Sequence, residues 1–207
     1  MKIAVIWDLD GTLLDSYDVI VESIFLTFCQ NGIVCSKEEI HRYAISSSIS
    51  ALFAEYAEKY NIDMQLLKDC YSRISGSRYM DIKVMKQGRE VLQALADRGV
   101  EQYVFTHRGK TTFPVLDNLE LTHFFRDIIT SQHSFPRKPD PLGLRYFIEK
   151  YVLDEAHTYY VGDRYLDMEC AKKAGISGVL YMPDGSFDVT GAERYRIKEL
   201  LEILKLV

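Results

Sequence analysis

Trp7-Asp8-Leu9-Asp10-Gly11-Thr12 closes the first apolar run of the chain, Ile3 to Trp7, and the fold is legible outward from it. A run of that length suits a buried strand. Successive side chains alternate along an extended chain, so Asp8 and Asp10 begin on one side and Trp7 and Leu9 on the other. Two carboxylates therefore leave the carboxyl end of a strand together, the edge where open parallel sheets hold their ligands. With sixteen Asp in 207 residues a bare Asp-x-Asp is expected about once by chance. Requiring Gly and Thr next, at 12 and 9 occurrences, lowers that to about 0.003.

Four further runs have strand length: Val100 to Thr106, Asp127 to Ser131, Thr158 to Gly162 and Gly178 to Met182. Helical patterns separate most of them. In Gly88 to Arg98, Val91, Leu92, Leu95 and Ala96 share a face and Gly99 supplies a left-handed stop. Pro141 is expected at a first helical position behind an Asp140 cap, and Ala174-Gly175 closes the helix after the fourth strand run. The alternation predicts an α/β fold, a Rossmann-like parallel sheet covered on both faces.

About 90 residues separate Trp7 from Val100, where a βα unit needs only about 30. The excess is an insertion. Residues 16–82 carry amphipathic helical stretches, among them the capping-box pattern Ser36-Lys37-Glu38-Glu39, and are expected to form a small α-helical cap above one end of the sheet. Residues 1–15 and 83–207 are the expected core domain. Phe53, Tyr56 and Tyr60 recur at helical spacing and suit the interior of the insertion better than a ligand box.

Composition narrows the function classes. Hydrophobic residues make up 47% and charged residues 27%, which suits a globular chain in water. Twenty-five Lys plus Arg against thirty Asp plus Glu give a net charge of -5, so no global basic footprint points to nucleic acid or an anionic membrane surface. A small-molecule partner is expected, with the chain a monomer or weak homodimer. Cys29, Cys35, Cys70 and Cys170 match no zinc or CxxC spacing and are expected as reduced thiols. The first apolar run is short for a signal-peptide core, and Val19 to Phe28, broken by Glu22, falls short of the roughly 20 residues of a spanning helix. A cytoplasmic location is the expectation.

Asp8-Leu9-Asp10-Gly11-Thr12-Leu13 resembles the first signature of the haloacid dehalogenase superfamily, in its phosphatase branch. The other signatures follow in order: Thr106 ends Val104-Phe105-Thr106, Lys138 lies in Arg137-Lys138-Pro139-Asp140-Pro141, and Gly162-Asp163-Arg164-Tyr165-Leu166-Asp167 supplies the last pair of acids. In size and cap style the chain is similar to the phosphoglycolate phosphatase-like and β-phosphoglucomutase-like members. The resemblance implies a Mg²⁺-dependent phosphatase acting on a small phosphate ester. Asp8 would be the nucleophile, forming an aspartyl-phosphate that water cleaves. Asp10 would be the general acid and base, with its backbone carbonyl on the metal. Asp8, Asp10, Asp163 and Asp167 would form the metal site, Asp167 either holding a metal-bound water or bracing Lys138. Thr106 and Lys138 would grip the phosphoryl oxygens, and the amides around Gly11 and Thr12 would cradle phosphate.

Independent chemistry agrees. Phosphate-monoester hydrolysis is among the slowest uncatalysed reactions, and carboxylates alone repel the dianion. Mg²⁺ resolves the conflict by bridging carboxylate and phosphate oxygens. His107 departs from the usual Thr-Asn pair of the second signature; it could donate where Asn would, contact substrate, or be a tolerated loop residue. Arg42 and Ser47 in the insertion are candidate substrate contacts, or members of an exposed helix face. Arg108, Lys110 and Arg164 are further candidates for positive potential at the cleft. Two alternatives remain: a phosphomutase returning the phosphoryl group to a sugar, and a non-catalytic phosphoacceptor module.

Overall fold

The computed structural model describes residues 2–46, 48–183, 185 and 191–207. The chain divides into two compact units, Ser16–Lys83 and the remainder, Met1–Asp15 with Val84–Val207. The first is helical: α1 (Tyr17–Gln30), α2 (Lys37–Ser46), α3 (Ile49–Tyr60) and α4 (Met64–Arg78). Side-chain caps set the boundaries. Ser36 Oγ accepts from the Glu39 amide at 3.1 Å, Ser48 Oγ from Ala51 at 3.1 Å, and Asp63 Oδ1 from Gln65 at 2.9 Å. Asn61 ends α3 in the left-handed region at φ 52°. The interior is apolar and aromatic, with Ile24 and Phe28 of α1 against Leu52, Phe53, Tyr56 and Leu67. Phe28 stacks on Tyr56 at 4.7 Å between centroids, and the Tyr56 hydroxyl donates to Glu39 at 2.8 Å, so its polar end is satisfied inside the packing.

The second unit is an α/β sandwich. Its parallel sheet comprises β1 (Ala4–Trp7), β2 (Glu101–Phe105), β3 (Asp127–Ile129), β4 (Thr158–Gly162), β5 (Ser177–Tyr181) and β6 (Tyr195–Ile197), in the order β3-β2-β1-β4-β5-β6. Helices α5 (Gly88–Asp97), α6 (Thr112–Asn118), α7 (Leu142–Tyr151) and α8 (Tyr165–Ala174) accompany it. Ala4, Ile6, Tyr103, Phe105 and Tyr160 face Leu144 and Phe147 of α7 and Cys170 and Ala171 of α8. The odd positions of β1 turn the other way: Trp7 Nε1 donates to Gln102 Oε1 at 3.2 Å, and Gln102 Nε2 to the Leu92 carbonyl of α5 at 2.9 Å. The strand order reverses at β1 and β4, and such a reversal opens a crevice at the carboxyl ends of the strands.

Several boundaries differ from the sequence expectation. Ile3, Val100 and Thr106 lie outside the ladders, although the Thr106 amide still donates to the Ile129 carbonyl at 3.0 Å. Strand β3 stops at Ile129, and β5 runs one residue earlier than expected. Helix α7 begins at Leu142, with Pro141 at its N-cap, because Asp140 Oδ1 accepts from the Leu142 amide at 3.0 Å. Strand β6 was not among the five expected; it is three residues long, at the sheet edge, with Arg196 exposed in its middle. Gly99 and Gly175 do end α5 and α8 with positive φ. Among the described residues, no helix is long and apolar enough to cross a membrane.

Candidate active site

Two strand ends flanking the crevice deliver the acids. Register sets Trp7 beside Val104 on one side and Val161 on the other, and the next amide, Asp8, donates to the Val161 carbonyl at 2.8 Å. Asp8 thus emerges buried, at 1% exposure, between β2 and β4. Beyond β4 the chain turns into α8, where Asp167 accepts the Arg164 amide at 3.2 Å as an N-terminal cap. Gly162 makes this turn possible, since a Cβ there would fall 2.5 Å from the Cβ of Asp167. Asp8, Asp163 and Asp167 each offer one oxygen within 4.8 Å of the others.

Lys138, from the loop before α7, enters this acidic group with its side chain fully buried. Its Nζ lies 2.9 Å from Asp8 Oδ1 and donates to Asp167 Oδ1 at 2.8 Å. The rings of Phe105 and Tyr160 flank the ammonium at 5.3 Å each. Tyr160 also donates its hydroxyl to Asp167 Oδ1 at 3.0 Å. Burial opposes the charge on Lys138, but Asp167 and Asp8 outweigh it and hold its pKa above that of an ordinary lysine. Asp8 is pushed above the usual carboxylate range by burial, with Lys138 opposing and Asp167 adding to the rise. One lysine thus faces two buried acids.

Asp10 takes a separate partner. Arg108 Nε reaches its two oxygens at 3.1 and 3.2 Å and Nη2 reaches Oδ1 at 2.5 Å, a fork-shaped pairing. Arg108 is itself held by Thr106 Oγ1, which accepts its amide at 3.1 Å, and by Thr111 Oγ1, which accepts from Nη1 at 2.9 Å. Among the described residues, the group of three acids comprises Asp8, Asp163 and Asp167 without Asp10. Gly11 adopts φ 81°, and its amide and that of Thr12, expected at a phosphate, donate inside the turn to Leu14 and Leu9 at 2.9 and 3.1 Å. The Thr12 hydroxyl instead donates to Asp163 Oδ1 at 3.1 Å. Thr106 lies buried just past β2.

His107 accepts the Lys138 backbone amide on Nε2 at 2.8 Å. Burial, together with Lys138, Arg137 and Arg164, pushes its pKa down to about 2. Arg164 Nη2 lies 3.8 Å from Asp8 Oδ2, whereas Lys110 is exposed on the loop after β2. Arg42 is exposed on α2 of the helical unit, where it lines an open groove with Asp18, Glu22, Lys37 and His41. Ser47 lies outside the described residues. Sequence reasoning missed Tyr160; the signal is the pairing of Ile6 with Tyr160, which puts that hydroxyl on the Asp8 side of the sheet once register is known.

These groups suit a hard divalent cation. The donors are carboxylates without thiolate or imidazole, the oxygen chemistry that Mg²⁺ takes. Asp8 Oδ2 is buried with no hydrogen-bond partner among the described residues and faces Arg164 Nη2 at 3.8 Å, so it keeps lone pairs that a metal ion could take.

The profile of the haloacid dehalogenase-like hydrolases matches residues 5–181, which include every acid of this group. The chain belongs to that family. This hydrolase is of the phosphatase type, similar to proteins named phosphoglycolate phosphatase; one from Nitrosospira multiformis is 30% identical, over 88% of this chain and 83% of that protein. A crystal structure of a predicted phosphoglycolate phosphatase from Haemophilus somnus shares the fold, with TM-score 0.87 at 20% identity, covering 99% of this chain and 97% of that one. The magnesium-bound HAD-hydrolase YfnB from Bacillus subtilis does so at TM-score 0.76 and 20% identity, covering 99% and 98%.

Proposed function

We propose that this hydrolase is a Mg²⁺-dependent phosphatase of small phosphorylated metabolites, of the phosphoglycolate or sugar-phosphate class, working through an aspartyl-phosphate. The observation that carries the reading is the buried Asp8 carboxylate, with Oδ1 held by Lys138 and Oδ2 left without a hydrogen bond. Asp8, Asp163 and Asp167, with the Asp10 backbone carbonyl, would hold Mg²⁺. When bound, the cation neutralises phosphoryl charge and lets a carboxylate approach a dianion.

Asp8 attacks phosphorus, an oxygen–phosphorus bond forms and the ester oxygen leaves. Asp10 gives that oxygen its proton, then takes one from the water that attacks the aspartyl-phosphate, regenerating the Asp8 carboxylate and releasing inorganic phosphate. For this the Arg108 fork must yield Asp10 to the leaving group. Lys138 and Thr106 steady the phosphoryl oxygens throughout. Membership of a hydrolase family argues against the phosphoacceptor module.

The test is inorganic phosphate release from a panel of phosphoglycolate, sugar phosphates, nucleotides and p-nitrophenyl phosphate. Release that requires both Mg²⁺ and Asp8 supports the reading. Isomerised sugar phosphate with little free phosphate would replace it by the mutase, and turnover by Asp8→Asn would remove Asp8 as nucleophile.

A further inference from the structure

Lys138 is delivered to the acids by a loop that lies in neither helix nor strand. Pro136, Pro139 and Pro141 deny that loop three backbone donors. The Asp140 amide turns inward to the Arg137 carbonyl at 3.1 Å. The Lys138 amide reaches outward instead, to His107 Nε2 at 2.8 Å, just beyond the end of β2.

We infer that His107 is the positioning residue of Lys138: its ring nitrogen moors the loop so that the ammonium meets Asp8 and the transferring phosphoryl group. The inference rests on the phosphatase reading above. The ring must act as an acceptor, so the proton of the neutral imidazole sits on Nδ1. Its surroundings keep it neutral: it is mostly buried, and Lys138, Arg137 and Arg164 all oppose a further positive charge there. The ring also packs edge-on to Phe105, at 6.4 Å between centroids, and Phe105 in turn flanks the Lys138 ammonium. Reach explains why His differs from Asn at this position. Nε2 is three bonds from Cβ, as is the amide oxygen of Gln, while that of Asn is only two bonds away.

Two experiments test the inference. In ¹⁵N-labelled wild-type protein, a coupling across the hydrogen bond should join the Lys138 amide nitrogen to His107 Nε2. No coupling, or an Nε2 that carries a proton at neutral pH, overturns it. In steady-state kinetics with p-nitrophenyl phosphate, His107→Leu should lower kcat on the order of 10²-fold with KM little changed, as expected for a misplaced catalytic group. His107→Gln should restore most of the loss. On a Lys138→Ala background, His107→Leu should cost nothing more. Additive losses in that cycle, or a drop confined to KM, would make His107 a substrate contact or a general structural residue. Failure of the phosphatase reading looks different: phosphate release would be independent of Asp8 while the coupling remained.

Discussion

At the carboxyl end of the sheet, a lysine and two carboxylates are withdrawn from water together, whereas the interior of the helical unit is ring against ring. In the first region Lys138 reaches both Asp8 and Asp167, and Asp167 also accepts from the Tyr160 hydroxyl and the Arg164 amide, each contact of definite geometry. In the second, Phe28, Phe53 and Tyr56 gain stability from area and fit, and the one polar atom among them, the Tyr56 hydroxyl, is matched by Glu39. Buried apolar area stabilises a fold directly. Buried charge is weak evidence for stability, because desolvation offsets the attraction. The two regions should therefore separate on mutation, one governing turnover and the other the folded state.

The largest expected effect breaks turnover alone. Asp8→Asn should reduce phosphate release by about 10⁴-fold or more, as loss of a nucleophile does, while raising the melting temperature in metal-free buffer. The sign follows from the raised pKa of Asp8. Its contribution to stability is complete below the ordinary carboxylate range and is lost as pH rises through the raised value, a loss that an uncharged Asn does not carry. A clear fall in melting temperature would make the acidic cluster a stability element and erase the contrast.

The converse change lies in the helical unit. Phe53→Ala should leave a cavity and cost about 3–5 kcal/mol, measured as a lower urea midpoint. A loss under 1 kcal/mol would show that this interior is loosely packed. Next in size, millimolar Mg²⁺ should stabilise the wild type by about 1–3 kcal/mol if it lies 10- to 100-fold above its Kd, and Asp8→Asn should blunt that gain; differential scanning calorimetry reads both. The smallest effect is the acid slope from His107. Below pH 6.5 the unfolded chain binds a proton there that the folded chain refuses until about pH 2. Stability should fall with falling pH by at most about 1.4 kcal/mol per unit from this group. His107→Gln should flatten the slope between pH 6.5 and 5.

Much of this was legible in the order of residues. The Asp8-to-Thr12 motif marked a strand end, apolar runs separated by helical patterns gave the other strands of one parallel sheet, and the family resemblance singled out Thr106 and Asp163 at their ends. What the chain conceals is pairing across distance. Arg108 and Asp10 lie 98 positions apart, and nothing in either segment announces that one will fork onto the other. Tyr160 looks like any strand aromatic until the register turns its hydroxyl toward Asp167. Strand β6 is too short to carry a period, and its exposed Arg196 breaks the apolar signal. The Gly11 and Thr12 amides illustrate a different limit: a glycine announces a turn without saying which carbonyls its neighbours will find.

Gly162 leaves no room for even one methyl group against Asp167. A library randomised at codon 162 should accordingly yield glycine alone among active clones, whereas exposed Tyr165, one step into α8, should accept broad replacement. Any redesign of this enzyme for a new ester has to treat that spot as fixed scaffold and seek its diversity elsewhere.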